Sequence, residues 1–194
     1  VALAYLANCL WLMGFPEQAA QCSQDACDFA DKLQLPMTTC YAVVRSCWRL
    51  VFAGEVDAAR GQAEKLLTIT QQHELRNFEI AALFFLHWIN VHKGDQSLAE
   101  VENIHQAMEE YQNLGTVLNR TAFLILFAQA CATAGQLGLG LEALDESISL
   151  GQRTSERWFE AEAYRCKGEL LMQLSQVSPQ QEDRLTEAEA CFQA

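Results

Sequence analysis

The chain holds four histidines, eight cysteines and 25 acids, so spacing decides whether any chemistry is set up. His87 and His92 are five residues apart, which on a helix turns one ring about 140° from the other and denies them a shared metal. His73 and His105 complete no ligand set with them on one helix face. Glu109-Glu110 and Glu160/Glu162 are the pairs that acid–base catalysis uses, yet acids on a second helix or near helix ends are ordinarily just solvated. Gly135-Gln136-Leu137-Gly138-Leu139-Gly140 has the glycines of a phosphate loop. Such a loop follows a strand and ends in Lys-Ser/Thr, whereas here a helical run precedes and Leu-Glu-Ala follows. No Ser/His/Asp or Cys/His arrangement follows from the spacing. The reading is therefore no catalytic residue, no metal site and no cofactor.

Charge narrows the partners. The formal charge is −12, with 13 bases against the acids. Nucleic acid needs a basic stripe to neutralise phosphates, and an anionic membrane surface needs the same. Neither is expected, and no run of 18 apolar residues is present to span a bilayer. The cysteines form no C-x-x-C pair and sit beside Ala and Leu in helical stretches, as small buried hydrophobes do. That pattern suits a reducing cytoplasm, in which the sequon Asn119-Arg120-Thr121 has no meaning.

The elements that would position any site follow from the glycines. Gly14, Gly54, Gly94 and Gly135 each close an apolar run and precede a second helix-forming run, at spacings of 40, 40 and 41 residues. Five residues after each comes Ala19, Ala59, Ala99 or Gly140. A fixed period of this size marks a repeated supersecondary unit. It predicts first helices near 1–13, 37–53, 76–93, 118–134 and 155–174, with partners near 16–33, 55–72, 95–114, 137–151 and 179–194. Residues 78–89 are apolar on nearly every side and demand burial on most faces. Residues 98–114 are amphipathic, with Leu98, Val101, Ile104, Met108 and Tyr111 three or four apart. Residues 175–183 form a polar insertion where the fifth turn belongs, read as a longer loop.

These marks resemble the tetratricopeptide repeat: a small residue in the first helix, a turn glycine seven residues on, then Ala and an aromatic in the second helix. Ala7 with Gly14 and Ala19 fits, as does Ala128 with Gly135; Gly168, Ala188 and Phe192 serve the fifth unit. The period exceeds that family's usual value of about 34, so longer helices are expected. HEAT-like repeats share the period but not the Gly-x4-Ala mark. The expected fold is all-α: one right-handed superhelical solenoid over 1–194. Its five hairpins would span roughly 1–35, 36–75, 76–116, 117–153 and 154–194. Residues 157–171 and 187–192, with 2–19, are similar to the C-terminal repeat arrays of large bacterial regulators. Those proteins carry cyclase, signal-transduction ATPase or DNA-binding output domains. The chain starts mid-helix without Met and stops early in a helix, which reads as a piece of such a protein.

The resemblance implies a cytoplasmic, non-enzymatic scaffold or sensor module whose first helices line a concave face. Trp48 and Trp88 stand 40 apart at equivalent places. In that register the partner-binding face takes Tyr41, Val44, Arg45, Trp48 and Phe52 from unit two. Phe84, Trp88 and His92 come from unit three, Ile125 and Gln129 from unit four, with Asn8 and Trp11 from unit one. Both tryptophans would equally suit packing between repeats. Arg45 and Arg49 beside Trp48 would pair with an acidic group. The expected partner is a peptide or protein segment, including other domains of the same polypeptide. The alternative is a small-molecule receptor that relays a metabolite signal. Apolar faces left open at the terminal repeats, above all at the incomplete last hairpin, would allow a homodimer.

Overall fold

The computed structural model describes residues 1–95, 97–115, 118–176 and 181–193. Among them the protein is all helical, with no strand. The helices are α1 (Ala2–Leu12), α2 (Pro16–Leu33), α3 (Pro36–Phe52), α4 (Val56–His73), α5 (Arg76–His92), α6 (Leu98–Asn113), α7 (Arg120–Thr133), α8 (Leu137–Thr154), α9 (Glu160–Ser175) and α10 (Gln181–Gln193). Nine of the ten begin and end within three residues of the expected spans. α9 starts at Glu160 instead of 155, because Ser155 is left-handed (φ 61°) and residues 155–159 form the turn that enters it. α6 also starts late, at Leu98. Much of the polar insertion at 175–183 lies outside the described residues.

The helix ends explain the glycine period. Gly14, Gly54, Gly94 and Gly135 have φ of 83°, 74°, 110° and 75°, a left-handed backbone that glycine enters without strain. Each glycine N–H donates to the carbonyl three residues back, and the next residue's N–H donates five back. The long bonds run from Phe15 to Leu10, Glu55 to Leu50, Asp95 to Asn90 and Gln136 to Cys131, at 2.9, 2.9, 3.0 and 2.7 Å. This is the Schellman closure, which satisfies carbonyls that a helix end leaves open. A second left-handed series, Gln34, Glu74, Gly115 and Ser155, ends the alternate helices at spacings of 40, 41 and 40. Three of its members carry a side chain, so the glycine pattern alone does not reveal it.

The chain forms two compact units. One is Val1–Ile89 with Ala107–Leu114; the other is Asn90–Gln106 with Gly115–Ala194. The division falls inside α5 and α6 and not in a linker. In the first unit α1 pairs with α2 and α3 with α4, and α3 also packs on both α1 and α2. The second unit repeats that scheme: α7 pairs with α8 and α9 with α10, while α9 packs on α7 and α8.

Small residues set the approach of each pair. Ala19 and Ala59 are fully buried, and Gly140 is buried at the same offset from its turn glycine. Ala99, expected to match them, is exposed. α6 begins two residues later after its glycine than α2, α4 or α8 does, which moves the buried face to Val101, Ile104, Ala107 and Met108. α5 is buried on most sides, through Ile80, Ala81, Ala82, Phe84, Phe85, Trp88, Ile89 and Val91. In the fifth hairpin Gly168 is buried where a Cβ would stand 2.6 Å from the ring of Phe192, and Ala188 is buried in a cluster with Leu171 and Cys191.

Candidate functional site

In the first unit, α3 carries five of the expected binding residues. Only Tyr41 is exposed, at 38%, and Phe52 is half-buried. Val44, Arg45 and Trp48 are buried. The Trp48 ring meets Phe85 edge-on at 5.0 Å and stacks on Phe52 at 6.0 Å, which makes it a core residue joining α3 to α5. Phe84 and Trp88 on α5 are buried too, at 0% and 2% exposure. The expectation that both tryptophans anchor a partner is therefore corrected, for neither shows enough surface to be touched. Asn8 is buried, and Trp11 is half-buried against Phe52 at 6.3 Å.

Beside α3 lies a half-buried tyrosine cluster around the buried Arg45 guanidinium. Arg45 lies with Cζ 4.4 Å from the centre of the Tyr5 ring, a cation–π arrangement. Tyr41 packs edge-on against Phe78 at 4.9 Å. Tyr111 on α6 is half-buried; burial raises its phenol pKa, and the positive charge of Arg45 works against that rise. Arg49, also buried, donates to Glu55 at 2.9 Å across the turn that ends α3. The sequence reading missed Tyr5 and Tyr111. Tyr5 had a signal: it precedes Arg45 by one period of 40, the spacing that places residues on successive first helices.

In the second unit His92 is exposed at the end of α5, whereas Ile125 is buried in α7 and so is no surface residue. Gln129 is half-buried and donates to Glu162 of α9 at 3.1 Å and to Cys166 Sγ at 3.4 Å. Arg165 extends the cluster, donating to Glu162 at 2.6 Å and to Glu169. Its own pKa is raised, first by the hydrogen bond to Glu162. Burial pushes the Cys166 thiol up to about 12, with Glu162 adding to the shift, so it stays protonated and unreactive. The sequence reading assigned Gln129 alone of this group.

The second unit also has an open cleft of about 470 Å³. Leu141, Leu171 and Leu174 line it with Asp145, Lys167, Asp183, Arg184 and Glu187. Lys167 bridges Asp145 at 2.8 Å and Glu187 at 3.2 Å. Burial lowers its pKa, but these bonds outweigh that and leave it raised. Three of the five rim charges are thus matched to each other.

All eight cysteines are free thiols. Among the described residues no group of three His, Cys, Asp or Glu side chains could hold a metal ion, and no helix is long and apolar enough to cross a membrane.

No protein-family model matches the chain. It is similar to an uncharacterized protein of Rhizobium meliloti (strain 1021), at 18% identity over 165 residues. That alignment takes in 85% of this chain and 16% of the relative, so the chain spans about one sixth of the protein it matches.

Proposed function

We propose that this chain is a helical-repeat module of the tetratricopeptide type, a solenoid that binds a peptide or protein segment on the face formed by its first helices. The observation that carries the reading is the pair of interleaved turn series, each recurring every 40 or 41 residues, the first with the same hydrogen bonds each time. Packing of first helix on first helix, seen in α1 with α3 and again in α7 with α9, supports it. Stacked units of this kind offer extended surfaces and no built-in reactive group, which favours binding over catalysis. In the first unit the partner would meet Tyr41, Tyr5 and Phe52 on the first helices, with Tyr111 of α6 beside them and Arg45 behind them drawing an acidic group. In the second it would meet His92, Gln129 and the Glu162–Arg165 pair. Aromatic side chains supply most of the affinity at such surfaces, and charges set selection. The setting proposed is a cytoplasmic, bacterial, multidomain signalling protein.

The test is selection of peptides from a displayed library, followed by titration against the wild type, Tyr41→Ala and Gln129→Ala. A selected peptide should lose about tenfold or more in affinity in Tyr41→Ala. A second reading, a small-molecule receptor, draws on the cleft beside Lys167, whose volume suits a metabolite. It prevails if no peptide is enriched and a metabolite panel raises the melting temperature in a way that Lys167→Met abolishes.

A further inference from the structure

We propose that the cleft between α8, α9 and α10 takes a free α-amino acid with an apolar side chain. The proposal rests on the reading of this cleft as a metabolite site and adds the class of ligand. The floor is apolar, formed by Leu141 of α8 with Leu171 and Leu174 of α9. Its volume of about 470 Å³ falls in the range of small-ligand sites. Stacking of hairpins does not close this side of the fold. Counted from the small residues Ala19 and Gly140, and from Ala59 and Ala188, the equivalent groove lies between α2 and α4. There Ala20, Gln24 and Ala58 stand where Leu141, Asp145 and Glu187 do, and all three are exposed although α5 follows and packs on α3. A further hairpin packed on α9 and α10 would leave the cleft open in the same way.

Charge selects the head group. Lys167 is shared between Asp145 and Glu187, so one of those two negative charges stays uncompensated. Among the described residues the side chains of Asp183 and Arg184 make no hydrogen bond or ion pair. The cleft therefore offers one unmatched positive charge and two unmatched negative ones. A simple anion would pair with Arg184 but add to the surplus of acids. A simple cation would leave the half-buried Arg184 without a counter-charge. A zwitterion answers both signs. Arg184 and Glu187 are three apart on α10 and so are neighbours on one face, which suits an ammonium and a carboxylate on adjoining atoms. The carboxylate would take the Arg184 guanidinium, the ammonium would lie by Glu187, and the side chain would rest on the leucines.

The test is isothermal titration calorimetry with leucine and phenylalanine up to about 20 mM. Both should bind saturably, whereas glycine, which lacks the apolar body, should not. N-Acetyl-leucine lacks the ammonium and leucinamide the carboxylate, and each should bind about tenfold or more weakly than leucine. Arg184→Met should weaken leucine by a similar factor and change leucinamide by less than about twofold. Arg153→Met makes the same change of charge at an exposed residue that does not line the cleft, and should leave leucine binding unchanged. Absence of binding by every apolar amino acid, leucinamide as tight as leucine, or equal losses for both in Arg184→Met overturns the proposal. If other metabolites still raise the melting temperature through Lys167, the receptor reading stands and this ligand class alone falls.

Discussion

Leu170 occupies the space that a side chain at Gly140 would need. A Cβ there would stand 2.7 Å from Leu170 Cδ2 and 3.1 Å from the Ala128 carbonyl oxygen. The repeat makes Gly140→Ala look like an improvement, since Ala19 and Ala59 hold the same position and Ala favours a helix interior by about 1 kcal/mol. Overpacking a close contact costs about 1–3 kcal/mol, and backbone oxygen does not yield as a side chain does. Urea unfolding of Gly140→Ala should show a net loss of about 1 kcal/mol. Gly168→Ala should lose less, because the clashing atoms belong to the half-exposed Phe192 ring, which can swing away.

The two turn series should respond in opposite directions. Gly54 has φ 74° with nothing near its missing Cβ, so Gly54→Ala meets only backbone strain and should cost about 1–2 kcal/mol. Gln34 already sits at φ 51° and is exposed, so Gln34→Gly removes that strain and should add about 0.5–1 kcal/mol. Melting temperatures of the two variants check the pair. Equal effects would mean that the left-handed turns contribute nothing to stability.

These turns show what a linear reading captures. Gly14, Gly54, Gly94 and Gly135 are visible because the backbone excludes most other residues there, and they carried eight helices close to their true ends. Gln34, Glu74 and Ser155 do the same backbone work with side chains that are common anywhere, so the second period was hidden. The start of α6 was misplaced for a related reason: Gly94 marks where α5 ends, but not how many residues pass before Leu98. The candidate face suffered most. Each residue on a helix turns by about 100°, so equivalence between Trp48 and Trp88 says that they share a register, not which way it faces.

Burial turns the Trp48 expectation into a stability prediction. Trp48 is 3% exposed and touches Phe52 and Phe85, so Trp48→Ala should cost about 3–5 kcal/mol, in the range for removal of a large core aromatic. Tyr41→Ala, at a 38% exposed position, should cost under about 1.5 kcal/mol, the loss of one edge-on ring contact. Denaturant unfolding of both variants separates core from surface. Similar losses at the two positions would refute the assignment of Tyr41 as the surface residue of α3.

Alkaline pH should weaken the fold through its buried thiols. Burial pushes Cys40 up to about 11 and Cys131 and Cys166 up to about 12, and raises Cys47 further, against an ordinary value of 9.0. The unfolded chain ionises these groups from pH 9 upward while the folded chain keeps their protons. It then binds fewer protons than the native state, so unfolding free energy falls as pH rises. The stabilising contribution is complete below pH 9 and is lost progressively toward pH 11–12. Each such thiol adds a slope of about 1.4 kcal/mol per pH unit within its window. Cys131→Ala should flatten the decline measured by urea unfolding between pH 8.5 and 10.5 by roughly that slope, whatever it costs at pH 7. Native thiol titration at pH 8 provides the second readout. The exposed Cys9 should react first, and Cys40, Cys47 and Cys131 should stay silent until urea is added. Rapid modification of those three in the native protein would mean that the first-helix core opens far more often than its burial implies.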